Sequence, residues 1–197
     1  NQTKATYYPS PLAFGTHRYE AVYTGDPTHL DACATLVQFA QKTTTTTLTL
    51  GSNPTVYDAP LTLTATVTPG ATGTATFSKS GVLLGTASLD ANGQATFMAP
   101  SLAAGTHILL STYAGDSLHL GSASTAQTLT VPPAPATVTL GGLNWTYTGS
   151  PCAATATTVP AGLNLTFTYN GQPAPPTAVG SYAVLATVQD SNYVGNA

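Results

Sequence analysis

Charge is what this chain has least of. Only 6% of its 197 residues are charged, four Lys or Arg against seven Asp or Glu, and the formal net charge is −3. Nucleic-acid and anionic-membrane surfaces need clustered Lys and Arg, and four basic residues cannot supply a cluster. No apolar run approaches the ~20 residues of a membrane span, and the start has no basic-then-apolar signal segment. Neither nucleic-acid binding nor membrane insertion is expected. Catalytic patterns are missing too: there is no G-x-S-x-G elbow and no closely placed carboxylate pair, and Cys33 near His29 matches no nucleophile motif. No enzymatic activity and no cofactor are expected. The chain opens on Asn1 rather than Met, which reads as a processed or excerpted piece.

What the chain has in abundance is Thr, Ala, Gly and Val, a composition that suits secreted, strand-rich modules because Thr and Val favour the pleated surface. It also has a repeat. Residues 12–30, LAFGTHRYEAVYTGDPTHL, overlie residues 102–120, LAAGTHILLSTYAGDSLHL, at an offset of 90, with 10 of 19 positions identical. A reduced third copy begins at Ala178, where Gly180 stands for Gly105 and Asp190 for Asp116. A period of this size means small tandem domains.

Each copy reads as a strand between two turns. In the first, the pleat places His17, Tyr19, Ala21 and Tyr23 on one face and Arg18, Glu20, Val22 and Thr24 on the other. His107, Leu109, Ser111 and Tyr113 share the corresponding face of the second, and Tyr182, Val184, Ala186 and Val188 that of the third. A Gly turn precedes each strand. Gly-Asp or Gln-Asp ends it, with a side chain able to close an Asx-type turn.

Taken in order, residues 1–42 hold only the late part of one repeat: a lead-in, the repeated strand and a last strand near 34–40. Two strands are marginal alone in water, so this segment is expected to need a partner, either preceding sequence or strands of another molecule. The five-threonine run at 43–47 reads as a linker strand; composition leaves its O-glycosylation open. Residues 43–131 then unroll a whole domain. Leu61, Leu63, Ala65 and Val67 alternate with threonines, the chain bends around Gly85, and about seven short strands with frequent turn signals predict an immunoglobulin-like β-sandwich. The proline-rich 132–135 is a stiff spacer that lacks three backbone donors. Residues 136–197 form a third β unit that stops short of its last strand. The fold class is all-β, tandem sandwich domains like beads on a string with incomplete first and last units.

At this point a family is recognisable. Through LTLTATVTPGATGTATF, LLGTASL and LAAGTHILLSTYAGD, residues 43–131 resemble a bacterial immunoglobulin-like repeat, and residues 10–42 resemble the second half of the same repeat. Residues 136–197 resemble the MBG-type repeat through LNWTYTGSP, VPAGLNLTFTYNG and PTAVGSYAVLATVQDSNYVG. The resemblance implies a segment of a long secreted or surface-displayed bacterial protein, a stalk, adhesin or filament, without catalytic residues.

The residues able to carry chemistry are few. The four histidines form two repeat-equivalent pairs, His17 with His107 and His29 with His119, which points to scaffold roles. A zinc site needs three or four converging ligands. The nearest approach is His29, Asp31 and Cys33, and the second copy has His119, Gly121 and Ala123 there, so no metal site is expected. Calcium needs several carboxylates together, and the seven acids are scattered.

Trp145, Tyr147 and Tyr169 offer an aromatic surface for glycan contact, against the plainer role of core packing. The cysteines do not recur with the repeat. A disulfide requires Cα atoms within ~7 Å, and a complete sandwich separates the two units in sequence. Cys33 of one molecule is therefore expected to pair with Cys152 of another; two free or differently paired thiols are the alternative. The expected role is an extracellular structural subunit or stalk whose partners are copies of itself or adjacent repeats, joined head to tail by strand complementation. A carbohydrate or host-surface binding module is the alternative.

Overall fold

A computed structural model describes residues 4–51 and 56–197, and every regular element among them is a strand. Contacts divide the chain into two compact units. One comprises Asn1–Thr49, Leu63–Phe97 and Leu110–Gln127, and the other Leu50–Thr62, Met98–Leu109 and Thr128–Ala197. Several strands of the 43–131 segment contribute residues to both.

The first unit opens with a hairpin. β1 (Gly15–Tyr23) and β2 (Ala32–Ala40) pair antiparallel in unbroken register, from Gly15 opposite Ala40 to Tyr23 opposite Ala32. The expected parity shows over the first part of β1, where His17 and Tyr19 are half-buried and Arg18 and Glu20 exposed, while Ala21, Val22 and Tyr23 are all exposed. Residues 4–9, KATYYP, lie one repeat before 94–99, QATFMA. The later stretch is a strand, yet the earlier one forms none and is exposed throughout. Like sequence takes different structure here because a lone strand has no neighbour to satisfy its backbone.

The sandwich follows as β3 (Thr46–Leu50), β4 (Leu61–Val67), β5 (Thr74–Lys79), β6 (Val82–Ser88), β7 (Gln94–Ala99), β8 (Gly105–Gly115), β9 (Leu120–Ala123) and β10 (Gln127–Val131). One sheet has the order β3-β4-β7; the other runs β10-β8-β5-β6, with β9 also on β8. Along β4 the four apolar side chains are buried and the threonines half-buried, which is the period-2 signal realised. In the first unit, side chains of both sheets meet. Val67 of β4 packs with Ala71, Tyr113 of β8 and Leu89, and Phe77 of β5 stacks on Phe97 of β7 with centroids 5.4 Å apart.

One feature of this fold has no counterpart in the hairpin. Ser124, Leu129 and Val131 are all buried, although an unbroken strand would turn position 124 away from 129 and 131. The gap between β9 and β10 is where the inward parity switches.

The threonine run is structural. Thr46 begins β3, Thr44 Oγ1 donates to Leu120 O and lies within hydrogen-bond distance of Ser122 Oγ, 2.7 Å each, and Thr47 Oγ1 donates to Thr66 O. Ahead of it, Lys42 pairs through its backbone with Leu118 and Leu120 (2.7 and 2.9 Å), so the stretch entering the sandwich is itself hydrogen-bonded to it.

In the second unit, β11 (Ala134–Pro135), β12 (Thr137–Gly141), β13 (Thr155–Val159), β14 (Leu165–Tyr169), β15 (Val184–Val188) and β16 (Tyr193–Val194) form three two-stranded sheets, β11-β16, β12-β13 and β14-β15. Their core gathers Val138, Ala186 and Val188 with Leu140, Leu165, Phe167 and Tyr193 around them. The spacer is not free. The N–H groups of Ala134 and Ala136 donate to Asn192 O and Val194 O at 2.8 Å, and Pro135, with no N–H to give, sits between them on this edge strand. The same loop reaches back to the 101–104 turn, where Ala104 N–H donates to Asn192 Oδ1 at 2.9 Å, and Tyr193 meets Tyr57 edge-to-face.

Candidate functional site

The repeat-equivalent histidines have repeat-equivalent partners. Nε2 of His17 donates to Ala13 O, and Nε2 of His107 to Ala103 O, both at 2.7 Å. Each closes the turn that launches its strand. Nδ1 of His29 lies 3.0 Å from Asp26 Oδ1, and Nδ1 of His119 lies 3.0 Å from Asp116 Oδ1.

The aspartates close Asx turns, as expected. Oδ1 accepts the N–H two residues on: Thr28 for Asp26 (2.7 Å), Leu118 for Asp116 (2.8 Å) and Asn192 for Asp190 (2.7 Å). Hydrogen bonds from the Tyr23 phenol, Thr28 and His29 hold the Asp26 carboxyl well below the usual carboxylate range, and the same contact raises Tyr23. Among the described residues no three His, Cys, Asp or Glu side chains gather as a metal site would require. His29, Asp31 and Cys33 do not form one.

Comparison of the two full copies of the repeat isolates a surface. In the sandwich, Tyr113 and Leu129 are 3% and 0% exposed; their counterparts Tyr23 and Phe39 on the hairpin are 45% and 63% exposed. Leu36 and Val37 of β2 are exposed as well. In the sandwich Tyr113 donates its phenol to Thr72 O, and Asp116 accepts from the Thr72 N–H and hydroxyl, all at 2.9 Å. The hairpin has no such neighbour among the described residues, and Tyr23 turns its phenol onto Asp26 Oδ2 instead (2.7 Å).

The aromatic candidates lie in the second unit. Beyond β12 the chain runs strandless past Gly142 to Ala154, and with residues 176–184 it encloses a cleft of about 450 Å³. Trp145 Nε1 donates to Gly142 O at 2.5 Å, which fixes the indole at the rim while it stays 60% exposed. Tyr147 is also exposed there. Tyr169 is not available in the same way: it is buried in the cleft wall, where its hydroxyl accepts the Ala154 N–H at 2.9 Å. Its place on the inward side of β14 fits core packing, the alternative role weighed for these rings. Tyr182, hydrogen-bonded to Ala178 O, was missed; alternation along the strand into β15 was the signal for it.

Cys152 lines this cleft half-buried, its N–H on Pro176 O, while Cys33 is exposed on β2. Both thiols are free.

Comparison with known families assigns two segments. Residues 48–132 match the bacterial Ig-like domain (group 3), and residues 136–197 match the MBG domain. No curated protein matches the chain.

Proposed function

For a chain that carries a bacterial Ig-like domain followed by an MBG domain, modules typical of extracellular and surface proteins and typically non-catalytic, we propose a structural role. The chain is a stalk or fibre segment of the bacterial surface, and its copies associate head to tail by strand addition. The observation that carries this reading is the hairpin. Side chains whose repeat-equivalents are buried in the sandwich stand exposed on β1 and β2, and apolar strand faces of that kind are covered in a working assembly. A contact between two different patches does not close on itself and propagates as a filament. Cys33 pairing with Cys152 of a neighbour in an oxidising compartment would covalently fasten such an array. Electron microscopy of the native material tests the proposal: long fibres with a regular axial repeat are expected, and discrete, unassociated particles at all concentrations would refute it.

A second reading, a carbohydrate or host-surface binding module, draws on the exposed rings of Trp145 and Tyr147 at one cleft, since sugars stack on aromatic faces flanked by polar groups. It predicts saturable glycan binding that Trp145→Ala abolishes. A glycan array without signal would remove it.

A further inference from the structure

The spacer between the Ig-like and MBG domains is held at both ends. The compact unit that contains Thr128–Ala197 also takes in Leu50–Thr62 and Met98–Leu109, so one pole of the Ig-like domain belongs by contact with the MBG domain. Three segments meet at that pole: the loop at Tyr57 and Asp58, the turn at 101–104, and the start of the spacer after β10. Tyr57 N–H donates to Pro132 O at 3.0 Å, and Ser101 Oγ donates to Asp58 Oδ1 at 2.8 Å. At its other end the spacer pairs through Ala134 and Ala136 with Asn192 O and Val194 O. It runs so close there that a side chain at Gly195 would collide with the Ala136 carbonyl.

Two side chains of the loop after β15 then reach the pole directly. Asp190 Oδ1 accepts the Asn192 N–H and so sets the loop, while Asn192 Oδ1 accepts the Ala104 N–H at 2.9 Å in a half-buried setting. Tyr193 packs against the MBG core of Val138, Ala186 and Val188 and meets the Tyr57 ring edge-to-face, with centroids 5.2 Å apart. One ring therefore touches both domains. The entrance to the sandwich shows which of these parts are general. There Lys42 N–H donates to Leu118 O, two residues beyond the turn aspartate, as Ala134 N–H does to Asn192 O; Thr44 Oγ1 serves Leu120 O as Ala136 N–H serves Val194 O. The backbone arrangement is common to both entrances, but the side chains are not. Leu118 stands at the place of Asn192 with no oxygen to offer, and His119 stands at the place of Tyr193 with its ring on Asp116.

We infer that Asn192 and Tyr193 make the loop at 190–194 a clasp for the pole of an Ig-like domain, one that presents a turn N–H and an aromatic edge, and that the clasp converts the spacer from a hinge into a stiff joint. Domains that share a small interface ordinarily move independently. Here a side-chain hydrogen bond, a ring contact and the spacer's backbone bonds on both sides oppose bending together. The clasp also favours one domain order, because an Ig-like domain with Leu and His at the two positions lacks the groups that close it. This holds whether or not copies of the chain associate, so it stands apart from the head-to-tail reading.

Nitrogen-15 relaxation and amide exchange on the full chain test it. The amides of Ala134 and Ala136 are expected to be as ordered as those of β12, and the Ala104 amide to exchange slowly. Tyr57→Ala lies outside the MBG domain, yet it should speed exchange at Ala134 and Ala136 about fivefold or more, and Asn192→Ala should do the same at Ala104. The amides of β4 should keep their rates in both variants, and Tyr57→Phe, which retains the ring, should change little. Spacer amides as mobile as a free peptide in the unaltered chain overturn the proposal. So does Tyr57→Ala without effect at Ala134 and Ala136. Should Tyr57→Ala also lower protection in β4, Asn192→Ala decides, and an unchanged rate at Ala104 then overturns the clasp.

Discussion

Ser111 lies on the inward face of β8, fully buried, and its hydroxyl oxygen has no hydrogen-bond partner among the described residues. The repeat offers the remedy: the same position is Ala21 in the first copy and Ala186, also fully buried, in the third. Burying a hydroxyl without a partner costs about 1–3 kcal/mol. Ser111→Ala should therefore be neutral or stabilising by up to about 1 kcal/mol in urea denaturation, and a clear loss of stability would contradict this account of the site. Asp116 behaves oppositely. Burial opposes its ionisation, yet hydrogen bonds from the Thr72 and Leu118 N–H groups, the Thr72 hydroxyl and His119 outweigh it and hold the carboxyl well below the usual range. A depressed folded pKa gives stability that is fully present above the unfolded value of ~3.9 and lost as pH falls below it. The melting temperature should be level above about pH 5 and fall in acid, and Asp116→Asn should flatten that acid limb. An identical acid profile in the variant would assign the loss to other groups.

Among the elements, β5 and β6 show how a glycine sets geometry. Their register shifts between Phe77 and Ser78, with Gly85 opposite Phe77, and a side chain at position 85 would run into the Phe97 ring that stacks on Phe77. Overpacking of this kind costs about 1–3 kcal/mol. Gly85→Val should lower the melting temperature by several degrees, while Gly81→Ala, with open space around it but a φ of 82°, should act through backbone strain alone. The bend at Gly85 was legible in the sequence; the ring that requires it was not.

The same division runs through the other elements. Strand parity could be read from alternating side chains, and β4, β8, β15 and the first part of β1 follow it. The parity switch before β10 could not, because Ser124, Thr125 and Ala126 are too small and too polar to mark an inward face. Nor could the pairing of Lys42 with Leu118 and Leu120, or of Ala134 with Asn192, since these bonds join backbone atoms and leave no trace in residue type. At the cleft, composition picked out Trp145 and Tyr147. Burial alone separated Tyr169 from them.

For the molecule as a whole, order is expected to be uneven. The hairpin buries little apolar surface, whereas β4 and β8 lie in a packed sandwich, so amides of β1 and β2 should exchange with solvent orders of magnitude faster than those of β4. Protection of the hairpin equal to that of β4 would mean that something already covers it, and its appearance only at high protein concentration would identify the cover as another copy. Two near-identical strands in one chain also pose a problem of mistaken identity during folding, since β1 carries much of the sequence that lets β8 pair with β5. The copies differ on the inward face: Tyr19 stands at the place of Leu109, which is fully buried. The larger ring overpacks the space that Leu109 fills, and this gives the first copy a reason to be rejected from the second copy's berth.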